Sequence, residues 1–348
     1  MIILSHFCIN LYLFIHFLYT NKLYCIDKGG EMKVYLKFIS IAILTFFLTA
    51  CSSKVTVKRL SPSKIEDKKI SNLYLQNIKN DKISQEISIK QELLKASINK
   101  KKLFKVTNSI KNSDAVIKAD ITQSSLVYET YYKEQTTNNC LAFLRKTKEC
   151  LEYETKYIPC EKRTYSVTTN IEVLQPNLQT ILFAKSYLKS KYEDRCYEHF
   201  YNHFSMIRNK QETNKNLAKK IAVEFVKDIS PKYEYLKLDI IEKIESIKIA
   251  DNINENFENG VELLEQNKAI GANELFLKIN ENLKHKSWEV LYNLALSFEA
   301  LNNIDKALYF YEKASQIVKE QNQDLVNEAI KRVKTTQKLK QKTLFQLP

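Results

Sequence analysis

Residues 164 to 188 read TYSVTTNIEVLQPNLQTILFAKSYL, and this stretch decides the fold of the middle of the chain. Every second side chain of its first half suits a half-buried strand: Tyr165, Val167, Thr169, Ile171 and Val173. Pro176 and Asn177 then supply turn residues, and residues 181–188 lead back as a second strand. The stretch therefore predicts a β-hairpin.

Further strands and helices flank this hairpin. Strands are predicted at 70–78, at 104–106 and over a long run from 115 to 133 that is rich in Val, Ile, Thr and Tyr. A first helix is predicted with Ser84 as its cap and with a buried face made of Ile83, Ile87, Leu94 and Ile98. A second helix is predicted over 213–228, with one apolar stripe made of Leu217, Ile221, Phe225 and Ile229. This order predicts one sheet with helices packed on one face.

An apolar stretch near the amino terminus begins at Met32 and reads MKVYLKFISIAILTFFLTACSSK. Lysines precede an apolar core at 38–48, and the stretch closes on Leu48, Thr49, Ala50 and Cys51. It resembles a bacterial lipoprotein signal peptide, in which those four residues form the lipobox. The resemblance implies cleavage before Cys51 and acyl chains such as palmitate on that residue. Because Ser52 rather than Asp follows the cysteine, it also implies an outer-membrane anchor and a periplasm-facing protein.

A second apolar segment, residues 1–20, precedes this signal and is redundant with it. Residues 28–31 read KGGE directly before Met32, and codons for Lys-Gly-Gly can spell a ribosome-binding sequence. We therefore expect translation to start at Met32 and residues 1–31 to be a mis-annotated upstream extension. A genuine extended leader is the alternative.

Four cysteines lie beyond the lipobox, and an even number in an oxidising compartment predicts two disulfides. A two-residue hairpin turn would pair Cys160 with Arg195, whereas a three-residue turn would pair it with Cys196. We predict a Cys160–Cys196 disulfide and, by elimination, a Cys140–Cys150 disulfide that closes a short loop. The alternative is a zinc site made of Cys196, His199 and His203, which has no evident fourth ligand. We therefore expect no metal.

The middle of the chain resembles the small periplasmic α/β domain shared by the curli secretion lipoprotein CsgG, the amino-terminal domain of TolB and the penicillin-binding-protein activator LpoB. The resemblance covers roughly residues 55–232 and is a match of pattern. Its features are ISNLYLQNI at 70–78, KLFKV at 102–106, the strand entry at 114–117, and the helix that ends in Ile229-Ser230-Pro231. Residues 134–160, with their cysteines, depart from that pattern as an insertion.

Residues 288–321 read WEVLYNLALSFEALNNIDKALYFYEKASQIVKEQ and resemble a tetratricopeptide repeat. Small and large residues fall in the register of that 34-residue repeat at Leu294, Ala295, Phe298, Ala307, Tyr311 and Ala314. A more degenerate copy, 35 residues earlier, has Gly260, Leu263, Ala272 and Phe276. A basic helix at 325–341 is predicted to cap the stack. The resemblance implies a groove for extended peptides or partner helices, with Glu289 among its exposed residues and Trp288 in a packing role.

The composition excludes several functions. Lys and Arg total 54 against 40 Asp and Glu, a net charge of +14, but only six of the cations are Arg. Nucleic-acid binding is therefore not expected, since arginine usually reads guanine edges and phosphates. Only four glycines occur, which leaves no glycine-rich nucleotide-binding loop. No catalytic triad or ligand set stands out, so we expect neither an enzyme nor a cofactor.

These patterns predict an α+β protein in which a periplasmic α/β sheet domain precedes an all-α tetratricopeptide-repeat domain. The predicted segments are the upstream extension (1–31), the signal peptide (32–50), a lipidated linker (51–68), the sheet domain (69–232), a connecting segment (233–253), two repeats (254–321), and a capping helix with its tail (322–348). The predicted function is a lipid-anchored scaffold, or an assembly or regulatory lipoprotein, that binds protein partners of the cell envelope through its repeats. A subunit of a secretion or surface-structure complex and a lipid- or glycan-binding lipoprotein are the alternatives.

Overall fold

The structure is a computed structural model that describes residues 53–65, 68–196 and 206–348. Its strands are β1 (Lys54–Ser61), β2 (Asn72–Leu75), β3 (Ser97–Ile98), β4 (Lys101–Lys102), β5 (Lys105–Thr107), β6 (Ala115–Phe143), β7 (Cys150–Leu174), β8 (Ile181–Cys196) and β9 (Lys232–Asp239). Its α-helices are α1 (Gln85–Lys95), α2 (Met206–Ile229), α3 (Asp251–Glu265), α4 (Ala269–Asn282), α5 (Trp288–Ala300), α6 (Ile304–Ile317) and α7 (Glu320–Gln346). None of the helices among these residues is both long enough and apolar enough to cross a membrane.

A five-stranded sheet with the strand order β5-β2-β6-β7-β8 forms the first half of the fold. Strand β2 runs parallel to β5 and β6, and the other neighbours are antiparallel. Alternate side chains of β7 share one core with both α1 and α2: Tyr165, Val167, Ile171, Val173, Ile89, Leu93, Leu217, Ile221 and Phe225. The structure therefore has the predicted sheet with helices on one face.

Helix α1 buries a different face from the predicted one. Gln85, Ile89 and Leu93 are buried, whereas the predicted Ile87 and Leu94 are 57% and 47% exposed. The predicted Ile83 and Ile98 are buried, but they lie outside the helix. The Ser84 side chain does not cap the helix, because its backbone is left-handed with a φ of 57°. The Asp81 carboxylate accepts hydrogen bonds from the N–H groups of Ile83, Gln85 and Glu86 instead, and this sets the rotation of the first turn.

Residues predicted to be linkers form a two-stranded ribbon of β1 and β9, with Lys54 opposite Asp239 and Ser61 opposite Lys232. Val55 and Val57 are each 1% exposed and belong to the core of the carboxy-terminal helices, whereas Leu60 belongs to the core of the sheet. The predicted linker 51–68 and connecting segment 233–253 are thus partly built into the fold, because the alternating apolar residues of β1 need cover on one face. Residues from Lys54 to Pro348 form one compact unit.

The second half of the fold consists of the helix pairs α3/α4 and α5/α6, followed by α7. Of the ten predicted repeat residues, Leu263 is half-buried and the other nine are buried: Gly260, Ala272, Phe276, Leu294, Ala295, Phe298, Ala307, Tyr311 and Ala314. Helix α7 begins at Glu320, slightly before the predicted cap, and buries Val326, Ala329 and Val333. Its end is attached to the start of the described chain, since the Gln346 side chain accepts from the Ser63 N–H and donates to the Ile65 carbonyl oxygen, both at 2.8 Å.

Candidate functional site

One face of α5 holds an irregular segment of the same chain. The Asn293 side chain accepts a hydrogen bond from the Ile241 N–H at 3.0 Å and donates one to the Ile241 carbonyl oxygen at 2.7 Å. Glu289 lies one turn earlier on the same face. Its carboxylate accepts the N–H groups of Glu245 at 3.0 Å and Ser246 at 2.7 Å, and the Ser246 hydroxyl at 2.5 Å. Glu289 and Asn293 are termed the backbone clamp, and residues 240–246 the resident segment.

The backbone clamp recognises main-chain atoms almost entirely. A side-chain amide offers a donor and an acceptor, so Asn293 satisfies both polar groups of one residue, as a neighbouring β-strand would. An ionised carboxylate makes stronger hydrogen bonds to N–H groups than a neutral acceptor does. The pair can therefore hold the main chain of a peptide with little dependence on its sequence.

The resident segment overturns the expected exposure of Glu289. This residue is 2% exposed and Asn293 is fully buried, because residues 240–246 cross the face that would otherwise meet solvent. Trp288 has the predicted packing role: it is 6% exposed, and its ring meets the ring of Tyr292 edge-on with centroids 6.4 Å apart. An open cavity of about 550 Å³ remains beside the clamp, lined by Ile241, Trp288, Glu289, Lys319 and Asn322 among others.

A buried ionic network attaches α5 to α6 and α7. The Arg332 guanidinium donates to both carboxylate oxygens of Glu299, at 3.1 and 2.9 Å, and the Tyr311 hydroxyl donates to the same carboxylate at 3.2 Å. Burial, reinforced by the charge of Glu299, raises the pKa of Tyr311 well above its usual value, so its hydroxyl stays a donor. A bidentate Arg–carboxylate pair has a fixed geometry. The network therefore fixes the position of the helix that bears the clamp.

Strands β6 and β7 continue beyond the sheet as a two-stranded arm. Strand β8 ends at Cys196, opposite Cys160, and Cys160 also faces Tyr131 on β6. Past this point, residues 133–143 pair with residues 150–158 and, in the described chain, with no third strand. The arm thus begins where the sheet narrows to two strands, and it contains most of the predicted insertion 134–160.

Two disulfides mark the root and the end of the arm. Cys160 is bonded to Cys196 with Cα atoms 3.9 Å apart, and Cys140 is bonded to Cys150 with Cα atoms 5.7 Å apart. These are the two predicted pairs. Next to the turn Leu174 lies opposite Ile181, the register of the two-residue turn, and an irregularity between Val173 and Leu174 shifts the ladder by one residue so that Cys160 lies opposite Cys196. Cys196 is therefore no thiolate ligand, and the part of the chain that the structure describes has no cluster of three or more His, Cys, Asp or Glu that could hold a metal ion.

Several predicted site residues lie outside the described residues. They are the lipidation site Cys51, the lipobox residues Leu48, Thr49 and Ala50, and the alternative zinc ligands His199 and His203.

Sequence reasoning missed the resident segment and the length of the arm. Ile241 and Asn293 are 52 residues apart, and no local pattern signals their contact. The arm had one available signal, since the cysteine-bounded segment from 140 to 150 holds apolar residues that a solvated loop does not need.

The sequence matches no protein-family profile and no curated protein. Among solved structures, the chain is similar to a minor lipoprotein from Acinetobacter baumannii, with 10% identity, a TM-score of 0.26, and coverage of 46% of this chain and 96% of that one. It is similar at the same TM-score to a lipoprotein B from Nitrosomonas europaea, with 10% identity and coverage of 46% and 83% of the two chains. A rare lipoprotein B from Shewanella oneidensis gives 12% identity, a TM-score of 0.26, and coverage of 46% and 93%. At this level of similarity, the function has to be argued from the chain's own residues.

Proposed function

We propose that this chain is an envelope lipoprotein, acylated at Cys51 and attached to the outer membrane, that works in the periplasm as a scaffold or assembly factor. Its helix pairs are tetratricopeptide repeats that bind an extended segment of a protein partner. The lipobox supports the anchor, and the two disulfides suit an oxidising compartment.

The observation that carries the binding function is the backbone clamp. Glu289 and Asn293 already hold residues 241–246 by main-chain groups, so the site has the chemistry to bind the main chain of a peptide. A partner has to displace the resident segment, so its apparent affinity is the intrinsic affinity multiplied by the fraction of molecules in which the clamp is free. The resident segment therefore sets a threshold for binding.

The test changes the clamp and the resident segment separately. Ser246→Ala removes a hydroxyl donor to Glu289 and leaves the groove intact, so crosslinking in the envelope should recover more partner. Asn293→Leu removes both bonds to Ile241 and should abolish recovery. Asn327→Leu, the same exchange at an exposed position of α7, is the control. Unchanged partner recovery with Asn293→Leu would show that the clamp is not the binding site.

The anchor has its own test. Cys51→Ala should abolish metabolic incorporation of a fatty-acid probe, because the acylated sulfur is gone. Label that persists in this variant would contradict the assignment.

A further inference from the structure

The end of the arm exposes a cluster of apolar side chains. Five residues between positions 141 and 153 are 44% to 64% exposed: Leu141, Phe143, Leu144, Leu151 and Tyr153. The stretch next to them, residues 133–139, reads KEQTTNN and is wholly polar. Single exposed apolar residues, such as Tyr157 elsewhere on the arm, are ordinary on protein surfaces, but five at the end of a projection indicate a contact surface. Residues 141–153 are termed the arm tip.

The turn of the arm tip is cationic. Residues 144–149 read LRKTKE, which places Arg145, Lys146 and Lys148 against one carboxylate, Glu149. The turn is closed by hydrogen bonds from the Leu144 N–H to the Glu149 carbonyl oxygen and from the Lys148 N–H to the Leu144 carbonyl oxygen, both at 2.9 Å. The cations therefore stand beside the exposed apolar side chains.

The arm also holds the tip away from the rest of the molecule. Ten residues separate Cys150 from Cys160, and at about 3.3 Å per residue the tip stands about 33 Å beyond the root. The Cys140–Cys150 disulfide joins the two strands beside the turn. This cross-link keeps the apolar side chains at the end of the arm.

We propose that the arm tip docks on the surface of a phospholipid bilayer that contains anionic lipids. Leucine and aromatic side chains enter the boundary between headgroups and acyl chains, while the neighbouring Arg and Lys side chains meet the headgroup phosphates. The charge of the turn favours this occupant over an apolar pocket of a protein, in which three cations beside a single carboxylate would be costly to bury. The contact uses no residue of the backbone clamp. It gives the protein a second attachment to the membrane, in addition to the acyl chains.

The experiment uses the whole chain from Ser52 to Pro348, without acyl groups and with both disulfides formed. Flotation with vesicles of phosphatidylethanolamine and phosphatidylglycerol should recover the protein, and vesicles of phosphatidylcholine alone should recover much less. The double variant Leu141→Asp/Phe143→Asp should bind about tenfold more weakly. The matched control, Val127→Asp/Tyr128→Asp, changes two exposed residues nearer the sheet and should bind as the wild type does.

Two further measurements separate bilayer docking by the tip from peptide binding at the groove and from a protein contact at the tip. Phe143→Trp should give a blue-shifted fluorescence on addition of the anionic vesicles, and Tyr128→Trp should not. Asn293→Leu should leave vesicle binding unchanged, so failure of the groove proposal is distinguishable from failure here. Absence of vesicle binding by the wild type, or equal binding by the Leu141→Asp/Phe143→Asp variant, would overturn the proposal and leave a protein partner as the occupant of the tip.

Discussion

At the scale of single residues, Gly260 shows why the first helix pair packs closely. A Cβ at this position would lie 2.7 and 2.8 Å from two ring carbons of Phe276, a fully buried side chain whose ring also meets that of Phe257 edge-on. The Phe276 ring therefore has little room to move. At Gly271 the nearest atom to such a Cβ is 3.3 Å away and belongs to the flexible side chain of Leu263.

This difference predicts opposite effects for two identical substitutions. Gly260→Ala should lower the free energy of unfolding by about 1 to 3 kcal/mol, because the overpacking exceeds the gain in helix propensity. Gly271→Ala should raise it by up to about 1 kcal/mol, since helix propensity dominates there. Urea unfolding of both variants measures the difference, and equal midpoints would contradict the packing argument.

Asp228 lies in the last turn of α2, where the helix dipole disfavours a carboxylate. Lys64 and Lys185 approach it at 2.9 and 3.0 Å, and the Tyr187 hydroxyl donates to it at 3.0 Å. Burial opposes ionisation, but the hydrogen bonds from Lys64, Lys185 and Tyr187 outweigh it and lower the pKa of Asp228. The ionised form thus stabilises the folded state.

A depressed pKa in the folded state contributes stability that is complete above the unfolded pKa and is lost as the pH falls through the folded pKa. Asp228→Asn should therefore lower the free energy of unfolding by about 2 kcal/mol at neutral pH. The difference in free energy of unfolding between the variant and the wild type should become smaller as the pH falls below about 4. Denaturant titrations at several pH values test this, with the exposed Asp324→Asn as the control. A gap that stays constant with pH would refute the assigned charge.

At the scale of elements, the two disulfides should contribute differently because they hold different parts of the arm. In the loop-entropy model, a cross-link over 36 residues contributes about 4 kcal/mol and one over 10 residues about 3 kcal/mol. Without the Cys140–Cys150 disulfide, however, the tip can unfold locally while the sheet stays folded. The loss of stability is therefore limited to the free energy of this local opening.

We therefore expect Cys160→Ser/Cys196→Ser to lower the melting temperature markedly. Cys140→Ser/Cys150→Ser should mainly increase proteolysis after Arg145, Lys146 and Lys148. Thermal melts and limited trypsin digestion distinguish the two effects. Equal melting temperatures for the two double variants would contradict the argument.

The sequence predicted those elements whose pattern is created by burial. Val167, Ile171 and Val173 face a core, so their alternation revealed the hairpin. The register that joins Cys160 to Cys196 depends on the irregularity between Val173 and Leu174, which the alternation does not indicate. The arm past residue 133 faces solvent on both sides, so its polar residues showed no period and appeared to be an insertion. The buried face of α1 was missed for another reason, since Asp81 rather than Ser84 supplies the cap.

At the scale of the whole molecule, the β1–β9 ribbon joins the two halves that the sequence separates. Nothing local to residues 54–61 reveals their partner, because Lys54 pairs with Asp239 across most of the chain. Val55, Val57 and Ile240 are buried against the helices. The two hydrogen bonds of the Gln346 side chain, to Ser63 and Ile65, fix the end of α7 near β1. The sequence alone predicted a sheet domain at 69–232 and separate repeats at 254–321, whereas the ribbon packs on the cores of both halves.

Deletion of residues 254–348 should melt the half of the ribbon that packs on the helices while the five-stranded sheet stays folded. Val55, Val57 and Ile240 each lose a burial free energy of about 1.5 to 3 kcal/mol. An isolated two-stranded ribbon is only marginally stable in water. The sheet keeps its own core with α1 and α2. Hydrogen exchange should therefore show protection retained at 165–173 and lost at 54–57 and 236–239, because Leu60 and its partner Tyr233 pack on the core of the sheet. Protection that persists at 54–57 and 236–239 of the truncated chain would mean that pairing between β1 and β9 is sufficient without the helices, and the two halves would then be separable as the sequence had indicated.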